Sequence, residues 1–521
     1  IFDQAALGLG LTTVPLYPDD RPDNAAWIIG HAGARLLLME GRFQNRKLAE
    51  ILARAPSLTR VVSLLPPESP ADWSAQCVSA DDWLRRAAGT PVPAPRLAPD
   101  MPASIVYTSG TTGRPKGVML SHANMLWNAW YSSRCVALGA DDVFLSFLPL
   151  SHMFERIGGY YLPMLAGSEV VFARSINLLA QDLLAVRPTV LISVPRIYER
   201  MYARIRDALA KKGRAAQALF GLAAAIGWQR FERDQGRAPW HPRLLAWPLL
   251  KKLVADSVRQ RLGGRLRYAV SGGAALPPEI ARTFIGLGVP LLQGYGLTEA
   301  GPVVAVNRPD SNIPESIGKP LPGVELRIGE HDELLTRSRC VMRGYWDDPA
   351  ASAAAIDGAG WLHTGDQARV DARGHFHITG RIKDIIVLNN GEKVPPDDMQ
   401  AAISLDPLFE QALVVGEGRP YLGVLAVLNA ERWPAWCAEH AFDAARQDLL
   451  GDGRVHKLLL ARISALLKGF PGYAQIRRAH FTLEPWTVEN GLLTPTLKMR
   501  RRSIAARYAK EIDALFRDFS A

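Results

Sequence analysis

Between positions 107 and 117 the chain reads Tyr-Thr-Ser-Gly-Thr-Thr-Gly-Arg-Pro-Lys-Gly. Hydroxyls at Thr108, Ser109, Thr111 and Thr112 alternate with Gly110, Gly113 and Gly117, and one lysine, Lys116, stands near the end. These residue types suit the gripping of phosphate. Glycines let successive backbone N–H groups close on an anion, the hydroxyls donate further hydrogen bonds, and the lysine brings a mobile positive charge. A short apolar run, Ile105-Val106-Tyr107, leads in as a strand. Spacing excludes two other phosphate loops. The NTPase P-loop needs a second glycine where Pro115 stands, and Ser or Thr where Gly117 follows Lys116. The dinucleotide fingerprint needs a glycine two places after Gly110, where the chain has Thr112.

Two more glycine-rich runs follow short apolar stretches. Tyr268-Ala269-Val270 precedes Ser271-Gly272-Gly273-Ala274, and Pro290-Leu291-Leu292 precedes Gln293-Gly294-Tyr295-Gly296-Leu297-Thr298-Glu299. Ligands of open α/β sheets bind beyond the carboxyl ends of strands, so three such loops can converge on one ligand. Taken singly, each residue has an ordinary reading. Ser271 to Gly273 suits a helix-entry turn, Glu299 a solvated loop, Asp366 a surface position after a glycine, and His152 a packed or solvated strand end.

Together the runs resemble the adenylate-forming superfamily of acyl-CoA synthetases, luciferases and peptide-synthetase adenylation domains. The 107–117 loop matches its Y-T-S-G-T-T-G-x-P-K-G pattern at every fixed position. The resemblance extends over essentially the whole chain. The run Leu148-Pro149-Leu150-Ser151-His152-Met153-Phe154-Glu155-Arg156, residues 188–199, and Thr494-Pro495-Thr496-Leu497-Lys498 are similar to the long-chain fatty-acid–CoA ligase branch. Many relatives carry glycine where Leu497 precedes the lysine.

The resemblance implies ATP, Mg²⁺ and coenzyme A, with a fatty acid as the acid substrate. Thr108, Ser109, Gly110, Thr111, Thr112, Gly113 and Lys116 would hold the β,γ-phosphates. Tyr295, between Gly294 and Gly296 and next to Gln293, would stack on adenine. Gly272, Gly273 and Ala274 would line the adenine edge and the acyl pocket, and Thr298 would reach the α-phosphate. Glu299 with Thr108 would hold Mg²⁺. Asp366, in Trp361-Leu362-His363-Thr364-Gly365-Asp366, would accept the ribose hydroxyls with help from Arg381. Lys498 would bridge carboxylate and α-phosphate, with Arg500, Arg501 and Arg502 as nearby competitors, and His152 would line the acyl and thiol side. Within the same resemblance, a carrier-protein-loading acyl-AMP ligase is the alternative to the CoA ligase. Outside it stands a catalytically incomplete membrane-surface binding protein.

A chain of 521 residues exceeds one core. Strand-like runs at 35–39, 143–148, 170–173 and 190–194 alternate with helical stretches, which predicts an α/β fold with mostly parallel sheets over 1–380. A proline-rich connector lies at 91–102. The composition changes at 381–384, which predicts a domain boundary with a smaller α+β pattern over 385–521; the resemblance implies a hinge there at Lys383 and a lid role for the domain beyond it. The asparagine–glycine turn at 389–391 and a basic helix over 499–516 belong to that lid. The chain opens on Ile1, already helical in character, and the resemblance implies that one or more strand–helix units precede it.

Cys77, Cys135, Cys340 and Cys437 are scattered without a C-x-x-C pair. That predicts reduced thiols and a cytoplasmic location rather than a disulfide framework or zinc site. No apolar run reaches the ~18 residues that span a bilayer.

The net charge of +10 is concentrated. Residues 196–267 hold 17 Lys/Arg against 5 Asp/Glu, while the remainder is close to neutral. Helices are expected there at 196–212, 215–233 and 242–262. A basic helix with a Leu/Trp face reads either as a core-packed insertion with a solvated face or as a contact with the inner membrane surface. No nucleic-acid module accompanies the charge.

Overall fold

The computed structural model describes the chain except residues 19, 66–75, 93–94, 109–113, 447, 495–496 and 518–521. At its centre lies a seven-stranded sheet. Strands Glu169–Phe172, Val143–Ser146, Val190–Ser193, Tyr268–Ser271 and Leu291–Gly296 run parallel, and Val303–Val306 and Lys319–Pro320 close one edge antiparallel. The inner strands are apolar throughout: all four residues of Val190–Ser193 are buried. That pattern marks a sheet covered on both faces. A smaller parallel sheet, Leu36–Met39, Arg60–Ser63 and Cys77–Ser79, lies N-terminal to it in sequence. A four-stranded antiparallel sheet contains Leu362–Val370 and Phe376–Arg381.

Two strands differ from the sequence expectation. The loop expected beyond the carboxyl end of a strand in the open α/β sheet instead joins Pro102–Thr108 to Lys116–Ser121 in a separate antiparallel hairpin. Only seven residues separate Thr108 from Lys116, and a parallel crossover needs a dozen or more. The strand beginning at Leu291 also runs on through Tyr295 to Gly296, because Gly294 and Tyr295 pair with Val306 and Ala305. Tyr295 therefore projects from a strand, not from a loop.

The basic segment is helical, with Pro195–Lys212 and Arg214–Asp234 as expected. The third helix is broken into a 3₁₀ turn, Pro242–Ala246, a short α-turn, Trp247–Leu250, a π-turn, Lys251–Ala255, and a final α-turn, Asp256–Arg261. Pro248, interior to the expected helix, lacks the N–H that a continuous helix would use. Arg214–Asp234 packs tightly on Pro278–Gly286. A Cβ on Gly227 would fall 1.7 Å from the Gly286 carbonyl oxygen, so only glycine permits this approach.

The turn after Arg381 opens the smaller C-terminal domain. Its main core, with Ile403, Val424, Leu459 and Phe481, is drawn from residues beyond Ile386. A sheet of Phe409–Val415, Leu422–Leu428 and Ile476–Thr482 carries helices Pro396–Ser404 and Gly453–Leu466. The predicted basic helix at the end is two helices, Arg501–Arg507 and Ala509–Leu515, interrupted at Tyr508. The four cysteines form no disulfide. Among the described residues, no helix is long and apolar enough to cross a membrane.

Candidate active site

At the carboxyl end of strand Leu291–Gly296, the Tyr295 hydroxyl donates to Asp366 Oδ2 at 2.5 Å, and Arg381 Nε donates to Asp366 Oδ1 at 2.7 Å. Strand pairing makes this meeting unavoidable, since Asp366 stands opposite Arg381 in the antiparallel ladder. Burial, and then the Asp366 carboxylate, raise the Tyr295 phenol well above its usual range, so it remains a donor. A Cβ on Gly296 would lie 2.1 Å from the Pro302 carbonyl oxygen, which makes this glycine obligatory for the turn beyond Tyr295.

That turn, Thr298–Ala300, carries Thr298 and Glu299. The Glu299 carboxylate accepts from the Tyr345 hydroxyl at 3.0 Å, and crowding by surrounding protein raises its pKa. A raised carboxylate in a cleft is one that a cation would relieve.

Gly272 lies against the Phe154 ring, and a side chain there would meet it at 2.9 Å. Gly273 takes a left-handed φ of +83°, and Ala274 is exposed. Gln293 is turned inward. It accepts from Leu276 N–H at 2.8 Å and donates to the carbonyls of Pro314 and Ser316, so its amide braces the Gly272–Ala274 loop from behind. His152 caps a short helix, its Nδ1 accepting from Phe154 N–H at 3.2 Å. That bond leaves the proton on Nε2. Burial, and then Lys498, press the imidazole pKa down to about 4, so the ring is neutral at pH 7.

Lys498 arrives from the small domain. Its ammonium is open to water yet crowded by protein, and this desolvation lowers its pKa. Arg381 lowers it further, while Asp366, Glu299 and Asp397 oppose. Lys498 thus lies within electrostatic reach of Arg381, Asp366 and Glu299, and of His152. Lys383 is exposed in the turn that leaves Arg381.

Of the phosphate-loop residues, Ser109, Gly110, Thr111, Thr112 and Gly113 lie outside the described residues. Thr108 and Lys116 face each other at the mouth of the hairpin. Lys116 Nζ lies 4.9 Å from the Tyr345 ring centroid and 3.8 Å from Asp348 Oδ2. The hairpin base is braced by helix Pro22–His31: His31 Nδ1 is 2.7 Å from the Tyr107 hydroxyl, and the Arg114 guanidinium lies over Trp27.

The family model for AMP-binding enzymes matches residues 1–346, and that for the AMP-binding enzyme C-terminal domain matches 383–520. The chain belongs to the AMP-binding enzyme family. It is 32% identical over 539 residues to a Mycobacterium bovis protein named long-chain-fatty-acid–CoA ligase FadD15, covering 99% of this chain and 86% of that one. It is 31% identical to an Arabidopsis thaliana chloroplast protein named long-chain-fatty-acid–[acyl-carrier-protein] ligase AEE15, covering 80% of this chain and 62% of that one. The adenylation domain of a carboxylate reductase from Mycobacterium chelonae superposes with a TM-score of 0.73 at 23% identity, over 99% of this chain and 78% of that one. The fold is thus the adenylate-forming one, a large N-terminal domain followed by a smaller C-terminal one.

One residue of this AMP-binding enzyme escaped the sequence reading. Tyr345 touches both Glu299 and Lys116, because residues 343–346 pair along strand Lys116–Ser121: Met119 N–H donates to Gly344 O, and Trp346 N–H to Gly117 O. The Gly344-Tyr345-Trp346 sequence was the available signal, but its partner strand is more than two hundred positions away.

Proposed function

We propose that the protein is an AMP-forming ligase that joins a long-chain fatty acid to coenzyme A. The observation that carries this reading is the hydrogen-bonded Tyr295–Asp366–Arg381 cluster at one sheet end, with Lys498 of the small domain within electrostatic reach of Arg381, Asp366 and Glu299. In the first step a carboxylate oxygen of the acid attacks the α-phosphorus of ATP. An O–P bond forms, the bond to the β-phosphate bridge breaks, and pyrophosphate leaves. Lys498 is placed to stabilise the negative charge gathering between the two anions. Tyr295 offers a ring face to adenine, Asp366 accepts from the ribose, and Thr298 and Lys116 contact phosphate. In the second step the CoA thiol attacks the acyl carbon. The C–S bond forms, the thiol proton passes to solvent, and AMP leaves. His152, neutral and beside Phe154, lines the acyl side.

Glu299 with Thr108 would hold Mg²⁺, which when bound neutralises phosphate charge. Among the described residues no group of three or more His, Cys, Asp or Glu is arranged to hold a metal ion by itself. A single carboxylate suits Mg²⁺, which binds through one or two protein oxygens and takes the rest from phosphate and water.

Pyrophosphate exchange into ATP, measured with fatty acids of graded length, tests the reading; no acid-dependent exchange would overturn it. Lys498→Ala is expected to lower exchange by about 10²–10³-fold, the usual weight of such a charge contact, and to spare CoA transfer from supplied acyl-adenylate. Equal loss of both half-reactions would remove Lys498 from its assigned role. The likeness to an acyl-carrier-protein ligase names the second acceptor to compare. Preference for a holo-carrier protein over CoA would move the assignment there.

A further inference from the structure

The basic segment carries an apolar face that the proposed catalytic site does not use. Leu245, Leu249 and Leu253 are 74%, 62% and 56% exposed, and Trp240, at 56%, stands at the entry to the same stretch. Leu244, Trp247, Leu250 and Ala255, interleaved with them, are buried in the core. The exposed leucines recur every four residues and so form one outward row. Helix Arg214–Asp234 packs on this stretch and adds exposed Leu219 and Leu222. The row is therefore a surface built on a rigid base, not a frayed end.

The charges around it are mostly positive, and Asp256 beside the row is taken up by Lys251 and Arg259. Residues 208–231 and 235–255 contain no Asp or Glu. Lys211, Lys212, Arg214, Arg243 and Lys252 are all exposed, and none forms an ion pair with a carboxylate among the described residues. Elsewhere on the chain basic side chains commonly find partners, as Arg282 finds Glu315 and Arg337 finds Glu325. Here apolar area and uncompensated positive charge coincide.

We propose that this face, Leu245, Leu249 and Leu253 with Lys211, Lys212, Arg214, Arg243 and Lys252, docks the enzyme on an anionic lipid surface. Leucines enter the acyl boundary while lysines and arginines stay at the headgroups. A second copy of the chain fits the same face poorly. A two-fold interface sets a patch against itself, and this patch would oppose positive charge to positive charge. Nucleic acid would leave the leucine row without a counterpart. The inference does not depend on the ligase reading, although a membrane is where a long-chain acid partitions.

The test is flotation of the full chain with vesicles of phosphatidylcholine alone or phosphatidylcholine with phosphatidylglycerol, at low and high salt. The expected result is binding to the anionic vesicles that falls at least about tenfold with salt, as screened surface charge requires. A comparable loss is expected for Leu245→Ser/Leu249→Ser/Leu253→Ser and for Lys211→Glu/Lys212→Glu/Arg214→Glu. Unchanged thermal midpoints certify that the variants are folded, independently of any activity. Equal binding to neutral and anionic vesicles, or wild-type binding by both variants, overturns the proposal. So does a solution dimer that the leucine variant dissociates while vesicle binding is unchanged.

Discussion

Lys498 and Tyr345 carry different parts of the same electrostatic problem. In its proposed role the Lys498 ammonium must be charged to steady the adenylation step, and desolvation by surrounding protein, then Arg381, lowers its pKa from the ordinary 10.5. Its charge is therefore lost as pH rises, and lost sooner than that of a free lysine. The pH profile of kcat/KM for ATP, which reports the free enzyme, is expected to show an alkaline fall that Lys498→Arg moves to higher pH. CoA transfer from supplied adenylate should lack this limb. Tyr345 orients rather than reacts: its hydroxyl fixes Glu299, and its ring faces Lys116. Tyr345→Phe keeps the ring and removes one hydrogen bond to a charged group, worth about 1.5–3 kcal/mol. The expected outcome is a roughly 10–100-fold higher Mg²⁺ requirement in the exchange assay, with little change in thermal midpoint. A shifted midpoint at unchanged Mg²⁺ dependence would make Tyr345 a packing residue only.

The element that His152 caps stores a charge problem of its own. Helix Met153–Glu155 runs into the π-helical stretch Arg156–Tyr161, and Glu155 points inward, taking 2.6 Å from the Ser146 hydroxyl. Its other carboxylate oxygen has no hydrogen-bond donor, and burial raises its pKa from 4.5 to about 8. A folded-state pKa above the unfolded one means stability is fullest below pH 4.5. It declines toward pH 8 by up to about 1.4 kcal/mol per pH unit. Glu155→Gln keeps the shape and removes the titration, so denaturant unfolding should show the variant gaining on wild type as pH rises from 5 to 8. Sequence and structure diverge most at this scale. Types and spacings within one loop were legible: Tyr295, Glu299, Asp366 and Lys498 were readable as separate runs, and they meet. The hairpin under the phosphate loop, the extension of strand Leu291–Gly296 into its motif, and the pairing that brings Tyr345 to Glu299 were not. Each depends on a partner strand that local periodicity does not specify.

At the scale of the whole molecule, the small domain rests on the large one in the arrangement that delivers Lys498. Besides Lys498 itself, Arg432 of the small domain pairs with Asp207 on helix Pro195–Lys212, and Leu405 packs on the large domain's core. In the two-step reaction proposed, the small domain would leave that position before the thiol reaches the acyl carbon, with the turn at Lys383 as the proposed pivot. On that proposal the contact holding it would have to be weak. Both partners of the Arg432–Asp207 pair are well exposed, and such pairs contribute about 0.2–1 kcal/mol, no more than roughly a fivefold shift in a domain equilibrium. Asp207→Arg sets two like charges together and is expected to lower pyrophosphate exchange several-fold while leaving CoA transfer from supplied adenylate unchanged or faster. Restoring the attraction in reverse, with Asp207→Arg combined with Arg432→Asp, should recover exchange. A double variant no better than the single one would show that the pair does not govern closure, and that the apolar seat of Leu405 and the site charges around Lys498 hold the domain alone.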